Sequence, residues 1–342
     1  FAVAQGGAAR ARAVHEVVAV RDADTWLRIA ELGWFGVAVS EEIGGLGLGA
    51  PALCRIAGEA GRQLMMPPLT MAMAAAAVLA QESGASASLL SKLLEGKQHV
   101  AMAMVASDGQ PLPHAPHLEK PAAGLLATLV PDGDAATTFL FACEEGSEFE
   151  VRILPSQGPG IASQSHFAVD GSRLVDVHVS SEAWGAAPLL LRGEAGRTAW
   201  NQGRQLLWLG DAAYLSGLMD AALTLALDYL RLRKQFGVPI GSFQALQHRA
   251  ATCHVDAQAT QALVGEAAAA FDSPLGAWAA AASLHRAAAA ALRITEEVVQ
   301  FHGAIAFADE HDAGLYLRRA MALSARHARD AREQLTRPRA NR

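Results

Sequence analysis

The residues of this chain best suited to chemistry gather around one turn, in the stretch ALDYLRLRKQFGVPIGSFQALQHRAA, residues 226 to 251. Arg231, Arg233 and Lys234 close an apolar stripe, Gln235 and Phe236 follow, and Gln244 and Gln247 open the next helical pattern. Guanidinium, ammonium and amide groups are hydrogen-bond donors, so this cluster offers a grip on something rather than a reacting atom. Part of the pattern needs no ligand. Cations in the last turn of a helix gain about 0.3–1 kcal/mol each from the helix dipole, and Gly237 with Pro239 stops a helix. If the cluster does hold something, the group that reacts on it must come from elsewhere.

Elsewhere the sequence is sparing. Cys54, Cys143 and Cys253 are widely spaced. They make neither a disulfide framework nor a zinc motif, and read as free thiols in a reducing compartment, so a cytoplasmic location is expected. His114 and His117 sit in LPHAPHLEK without further ligands nearby, and no metal site is expected. Gly44, Gly45, Gly47 and Gly49 form a glycine-rich loop. No strand precedes it and no Lys-Ser/Thr follows, so it reads as positive-φ turns and tight backbone approach, not as a phosphate cradle. Glu296 and Glu297 read as solvated helix charges.

The elements that must position these residues fall into three regions. With 342 residues, 51% of them hydrophobic, the chain can bury a large core across two or three domains. A net charge of −6 and 18% charged residues give no overall attraction to nucleic acid or an anionic membrane. The longest apolar run, PPLTMAMAAAAVLA at 67–80, is too short to span a bilayer and reads as a close-packed helix. Residues 1–96 carry helical spacing, with Trp26, Ile29, Leu32 and Trp34 in register until Gly33 breaks it. Residues 97–186 break into short runs between Gly, Pro, Asp and Ser, the pattern of a small antiparallel, barrel-like β domain. Residues 187–342 return to helices. Leu218, Ala222, Leu225, Tyr229 and Leu232 form one stripe, Ser242 is a candidate N-cap, and the alanine runs of AWAAAASLHRAAAAAL allow close helix approach. The expected fold is therefore mainly α with a small β domain: N-terminal helices, a middle β domain and a C-terminal four-helix bundle.

That order resembles the acyl-CoA dehydrogenase family. IAELGWFGVAVSEEIGGLGLG resembles its first helical domain, YLRLRKQFGVPIGSFQALQHRAA its most recognisable motif, and QFHGAIAFADEHDAGLYLRRA a second motif near the C-terminus. The likeness runs nearly end to end. It implies a flavoprotein that binds FAD with the ADP half at a subunit contact. Arg233 would reach the pyrophosphate, for which a planar guanidinium supplies several fixed donors. Gln235, Phe236 and Gln244 would line the adenosine and diphosphate region. Gln300 and Gly303 would close over the cofactor from a neighbouring subunit.

The reaction implied is α,β-dehydrogenation of an acyl-CoA thioester: a carboxylate takes the α-proton while flavin N5 accepts hydride from the β-carbon. Family members keep the carboxylate, a Glu, either after the C-terminal Arg-rich helix or directly after the Arg of the QFG motif. Here the first position falls at or near His327 and the second at Lys234, so the catalytic residue is unknown. A neutral His327 imidazole could accept a proton, but a surface or packed histidine is the plainer reading. Asp309, Glu310 and Asp312 match loop residues rather than the base. The ring-binding half is also eroded. Only Ser107 and Asp108 echo the usual Gly-Ser-Asp segment, no Trp lies between Trp34 and Trp184, and Ala304 stands where a second glycine is common.

Three readings follow. The chain is one subunit of a hetero-oligomeric dehydrogenase whose partner supplies the base, as in bacterial enzymes for CoA thioesters of steroid side chains or other bulky acids. Or it is a self-sufficient homo-oligomer with a displaced base. Or it is a non-catalytic relative that binds acyl-CoA or a partner. By the resemblance, an electron-transfer flavoprotein is the expected electron acceptor.

Overall fold

The computed structural model describes residues 1, 4, 7–16, 23–66, 68–82, 84, 86–104, 124–145, 148–326, 332 and 334–336. His114, His117, Ser107, Asp108 and His327 lie outside the described residues.

The N-terminal region holds α1 (Ala8–Glu16), α2 (Ala23–Glu31), α3 (Gly49–Arg62), α4 (Leu69–Leu79) and α5 (Ala87–Leu94). In α2 the spacing of ADTWLRIAE turns Trp26 and Ile29 inward, and Gly33 at φ 71° ends the turn that follows. Leu32 departs from the expected stripe and is exposed. The Trp26 indole N–H donates to the Gly96 carbonyl (3.0 Å) and its ring stacks on His99, which ties α2 to the start of the β domain. Nearly every residue of α4 is buried. A helix that is apolar all round belongs inside a core, and this one is the run expected to be a close-packed helix. In the glycine loop, Gly44, Gly47 and Gly49 take positive φ, while a Cβ on Gly45 would overlap the Val39 backbone.

The β domain is two small sheets. The strands are β1 (Val100–Met104), β2 (Leu125–Pro131), β3 (Thr138–Glu145), β4 (Glu148–Pro155), β5 (Ile161–Phe167), β6 (Arg173–Val179) and β7 (Leu189–Arg192). One sheet runs β1-β3-β4-β7 and the other β2-β6-β5. Two features differ from the sequence reading. β1 and β3 are parallel, with Val100 opposite Thr138, because the chain leaves the first sheet for β2 in the second before it returns; parallel neighbours need such a crossover. And the domain does not stop at 186. Beyond the short helix α6 (Ser181–Ala186), β7 adds to the edge of β4, with Val151 opposite Leu191.

The C-terminal helices are α7 (Gly193–Leu232), α8 (Gln244–Ala269), α9 (Gly276–His302) and α10 (Ala313–Arg326). α7 has 40 residues, roughly 60 Å at 1.5 Å per residue. The alanines of α9 do what small side chains permit: Ala280, Ala281, Ala287, Ala290 and Ala291 are buried where α9 lies along α7, α8 and α10. α7 also packs against α3 backbone to backbone. A Cβ on Gly217 would overlap the Gly58 carbonyl oxygen, and one on Gly61 the Tyr214 carbonyl oxygen. Two expectations for this region are corrected. Leu232, the last member of the stripe, is 79% exposed, because the helix has left the core by then. Ser242 is not an N-cap: its hydroxyl donates to the Pro239 carbonyl (2.7 Å) and α8 starts after Phe243 without a side-chain cap.

Candidate functional site

The Arg233 turn is built from the end of α7. The Arg233 N–H still closes the last helical turn on the Tyr229 carbonyl (2.8 Å), while its own carbonyl accepts from Ile240 N–H (2.8 Å). Between them Lys234–Gln235 (β8) pairs antiparallel with Val238–Pro239 (β9). The two residues of the loop, Phe236 at φ 53° and Gly237 at φ 82°, both take left-handed conformations, which is the type I′ hairpin turn. Glycine does this freely. A phenylalanine does it at a cost of about 1–3 kcal/mol, and the Phe236 side chain recovers little from the chain itself, since it is 92% exposed with an edge-on contact to Phe243. Arg231 is paired with Asp228 (3.0 Å). Arg233 is exposed and forms no ion pair among the described residues. Gln235 and Gln244 are exposed beside it, the former donating to the Lys234 carbonyl (2.8 Å).

The end of α9 lies at the same end of the bundle. His302 packs its ring on Tyr229 (4.5 Å), one turn before Arg233. Arg249 near the start of α8 pairs with Glu297 (2.5 Å); Glu297 is thus a paired charge rather than the solvated one expected. Gln300 is exposed in the last turn, and α9 stops at Gly303, whose φ 68° and ψ −144° are open to glycine alone. No atom stands within 4 Å of where a Cβ on Gly303 would sit, so the backbone here faces open space. His302 donates from Nδ1 to the Val298 carbonyl (2.7 Å), which leaves Nε2 as a buried acceptor without a hydrogen-bond partner among the described residues. Burial lowers its pKa, helped by His311 and opposed by the Val298 bond. The loop carrying His311 is clamped from the N-terminal domain: Arg12 donates to the Asp309 carbonyl (2.8 Å) and the Glu310 carbonyl (3.0 Å) and pairs with Asp312.

The Tyr229–His302 ring contact therefore brings the ends of α7 and α9, which carry Arg233 and Gln300, to the same end of the bundle. The groups present fit the diphosphate half of a dinucleotide: a guanidinium without an ion pair among the described residues, exposed amides, an exposed aromatic held in strain, and a glycine backbone with open space beside it. Around them Leu232, Val238, Phe243, Ile305 and Phe307 are exposed as well. So many large apolar side chains at one end of a helical bundle mark a contact surface.

No unpaired carboxylate is buried in this arrangement among the described residues. Lys234 lies exposed on the hairpin, Asp309 is exposed, and Asp312 is held by Arg12. The most buried ion pair among the described residues lies elsewhere, where all three domains meet. Arg319 on α10 pairs with Asp170 (2.7 Å), which also accepts from the Ser172 hydroxyl (2.6 Å) and N–H (3.0 Å). The Arg319 Nε donates to the Tyr214 hydroxyl (3.3 Å), which donates in turn to the Met65 carbonyl (2.9 Å). Arg326, at the end of α10, lies 3.3 Å from Asp132. Burial pushes the Asp170 carboxyl up, but Arg319 and Ser172 outweigh it and hold it below its ordinary value. Burial raises the Tyr214 hydroxyl, against the pull of Arg319. None of these residues was singled out from the sequence. Asp132 and Asp170 sit in PDGD and VDGS, which read as ordinary turns, and partners this distant in sequence leave no local pattern.

The described helices and sheets form a three-part architecture, two helical regions with a small β domain between them. Two solved structures share it: the ChsE4-ChsE5 complex from Mycobacterium tuberculosis (TM-score 0.80, 21% identity, 98% of this chain and 94% of that one) and a Tcur3481-Tcur3483 steroid ACAD G363A variant (TM-score 0.81, 22% identity, 98% and 93%). Residues 3–96 match the acyl-CoA dehydrogenase N-terminal domain and residues 198–326 the acyl-CoA dehydrogenase C-terminal domain. The chain belongs to the acyl-CoA dehydrogenase family. Among curated relatives, it is 29% identical over 311 residues to acyl-CoA dehydrogenase FadE34 of Mycobacterium tuberculosis, a match that spans 87% of this chain and 40% of FadE34.

Proposed function

We propose that this chain is one subunit of a flavin-dependent acyl-CoA dehydrogenase, that it grips the FAD diphosphate through Arg233, and that a partner chain supplies the catalytic base. The observation that carries the reading is an asymmetry. Arg233 forms no ion pair among the described residues and the Gly303 backbone faces open space, while the two positions where the family keeps its Glu hold Lys234 and, at or near it, His327.

FAD, when bound, supplies the hydride acceptor. The work of this chain is binding. Arg233 neutralises the diphosphate, Gln235 and Gln244 donate to the adenosine side, and Phe236 packs on the nucleotide or on the facing subunit, which repays the strain in its backbone. Gln300 and the Gly303 backbone close over the cofactor of the neighbouring protomer. The exposed apolar side chains around the hairpin become interface when that protomer docks, and Phe236 and Phe307 exclude water from the phosphates. Taking a carbon-bound proton needs a carboxylate held close and partly desolvated, and that group comes from the partner. The likeness to the ChsE4-ChsE5 complex and to a Tcur3481-Tcur3483 steroid ACAD supports a two-chain enzyme and a bulky, steroid-type acyl-CoA. An electron-transfer flavoprotein is the proposed electron acceptor and the cytoplasm the proposed location; no described helix is long and apolar enough to cross a membrane.

Arg233→Ala in the assembled complex should weaken FAD binding about 10- to 100-fold, the size of a charge-assisted contact to phosphate, with Arg233→Lys between the two. Isothermal titration of the flavin-stripped complex measures it. Unchanged affinity in Arg233→Ala would remove Arg233 from the site and the reading with it.

A further inference from the structure

The loop between the turn Gly303–Phe307 and α10 makes few bonds of its own. Ala308 N–H reaches back to the Ile305 carbonyl (3.1 Å) and His311 N–H to the Ala308 carbonyl (3.0 Å). The Asp309 carbonyl, the Glu310 carbonyl and the Asp312 carboxylate are instead gripped by one guanidinium, that of Arg12 on α1. Two of these acceptors, on Glu310 and Asp312, flank His311. Its Nδ1 accepts the Ala313 N–H (3.2 Å) at the start of α10, and its ring stands edge-on to His302 (4.5 Å), the last residue of α9. Arg12 does not swing freely, because α1 is fastened to the N-terminal domain just before it. Ala11 is buried, Arg10 donates to the Thr25 hydroxyl (2.9 Å), and Gly7 N–H donates to the Gln63 carbonyl.

We infer that Arg12 is a positioning residue of the cofactor site: from the N-terminal domain it brackets His311, and through the His311–His302 contact it fixes the end of α9, where Gln300 and Gly303 stand. The His302 ring is held in three ways, by its bond to the Val298 carbonyl, by Tyr229 and by His311. The first two contacts belong to the helical bundle. The third comes from a loop whose place is set by Arg12. The Arg12 and Asp312 side chains are partly exposed, so their ion pair alone holds little. The grip lies in three acceptors on one planar fork, which fixes position and orientation together as a lysine ammonium does not. Buried Ala306 anchors the middle of the turn independently. Arg12 therefore governs the exit of the turn and the packing of His302, and its effect on the cofactor is modest. The clamp is a feature of this chain's geometry; its use rests on the proposed function.

Two measurements test it. In amide hydrogen exchange of the full chain, read by mass spectrometry, Arg12→Met should speed exchange about tenfold in peptides covering 307–312 and leave 276–298 at the wild-type rate. In FAD titration of the flavin-stripped complex, Arg12→Met should weaken binding about 3- to 10-fold, His311→Ala about as much, and the double variant no more than either, because both act through one contact. Arg12→Lys should recover part of the loss. Unchanged exchange in 307–312 overturns the clamp. Unchanged FAD affinity in Arg12→Met, or losses that add in the double variant, overturns the positioning role. Should Arg12→Met fail to assemble, Asp312→Asn removes the ion pair, keeps both carbonyl bonds and carries the same test at smaller amplitude. Arg233→Ala in the same titration separates the two readings. Weaker binding there with none lost in Arg12→Met defeats the positioning role alone, whereas no change in either defeats the cofactor site itself and the positioning role with it.

Discussion

Arg319→Ala is expected to lower the unfolding free energy by about 3–5 kcal/mol, because it strips a buried carboxylate of its counter-ion. Asp170 is almost wholly buried, and Arg319 is the only cation within ion-pair distance of it among the described residues. The same substitution frees the Tyr214 hydroxyl of one partner and leaves a hole against its ring. Urea melts would show a lower midpoint. The effect depends on pH in a defined sense. Folded Asp170 has a pKa below its ordinary value, so the native state binds this proton less readily than the unfolded chain. Its contribution is complete above the unfolded value of about 3.9 and disappears as pH falls through the folded pKa. The gap between wild type and Arg319→Ala should therefore be widest near neutrality and narrow in acid. Replacing both partners with apolar residues of similar volume should restore most of the loss.

Gly217→Ala and Gly265→Ala should change stability in opposite directions, though both sit inside long helices. On propensity alone each gains, since alanine is better than glycine in a helix by about 0.8–1.0 kcal/mol. Gly265 on α8 has no atom within 4 Å of an added Cβ, so it should keep that gain. Gly217 is where α7 touches α3. Its Cβ would stand 2.7 Å from the Gly58 carbonyl carbon and overlap the oxygen. The obstacle is backbone, so no rotamer relieves it and the helices must separate. Overpacking of this kind costs about 1–3 kcal/mol, occasionally more. Separation also pulls Tyr214 from Met65 across the same contact, which places the net loss near 2 kcal/mol or above. Thermal or urea unfolding of the two variants side by side checks the sign of each.

How much of this was legible beforehand differs by kind of signal. Periodicity located the helical ends of the chain, and the runs between 100 and 179 announced strands, because both patterns are local. The parallel β1–β3 pair was not legible: it depends on which sheet β2 joins, and nothing within β1 records that. β7 was missed for a related reason, since LLLR reads equally well as the approach to a helix. The family motifs marked Arg233, Gln235, Phe236, Gln244, Gln300 and Gly303 as candidates. What the motif could not supply was the state of each side chain: that Phe236 is strained and exposed, and that Arg233 is uncommitted while Arg231 is not. The ionic junction was invisible. Arg319 stands in LYLRRA beside Arg318, and only the fold decides which of the two turns inward.

The most direct measurement is turnover of an acyl-CoA thioester, with a dye as electron acceptor, by this chain alone and by this chain co-expressed with a family member that carries the Glu. The expected result is turnover by the pair only, falling about 10²–10⁴-fold when the partner's Glu becomes Gln. Equal turnover by the chain alone, with flavin bound, would contradict the claim that the base comes from elsewhere.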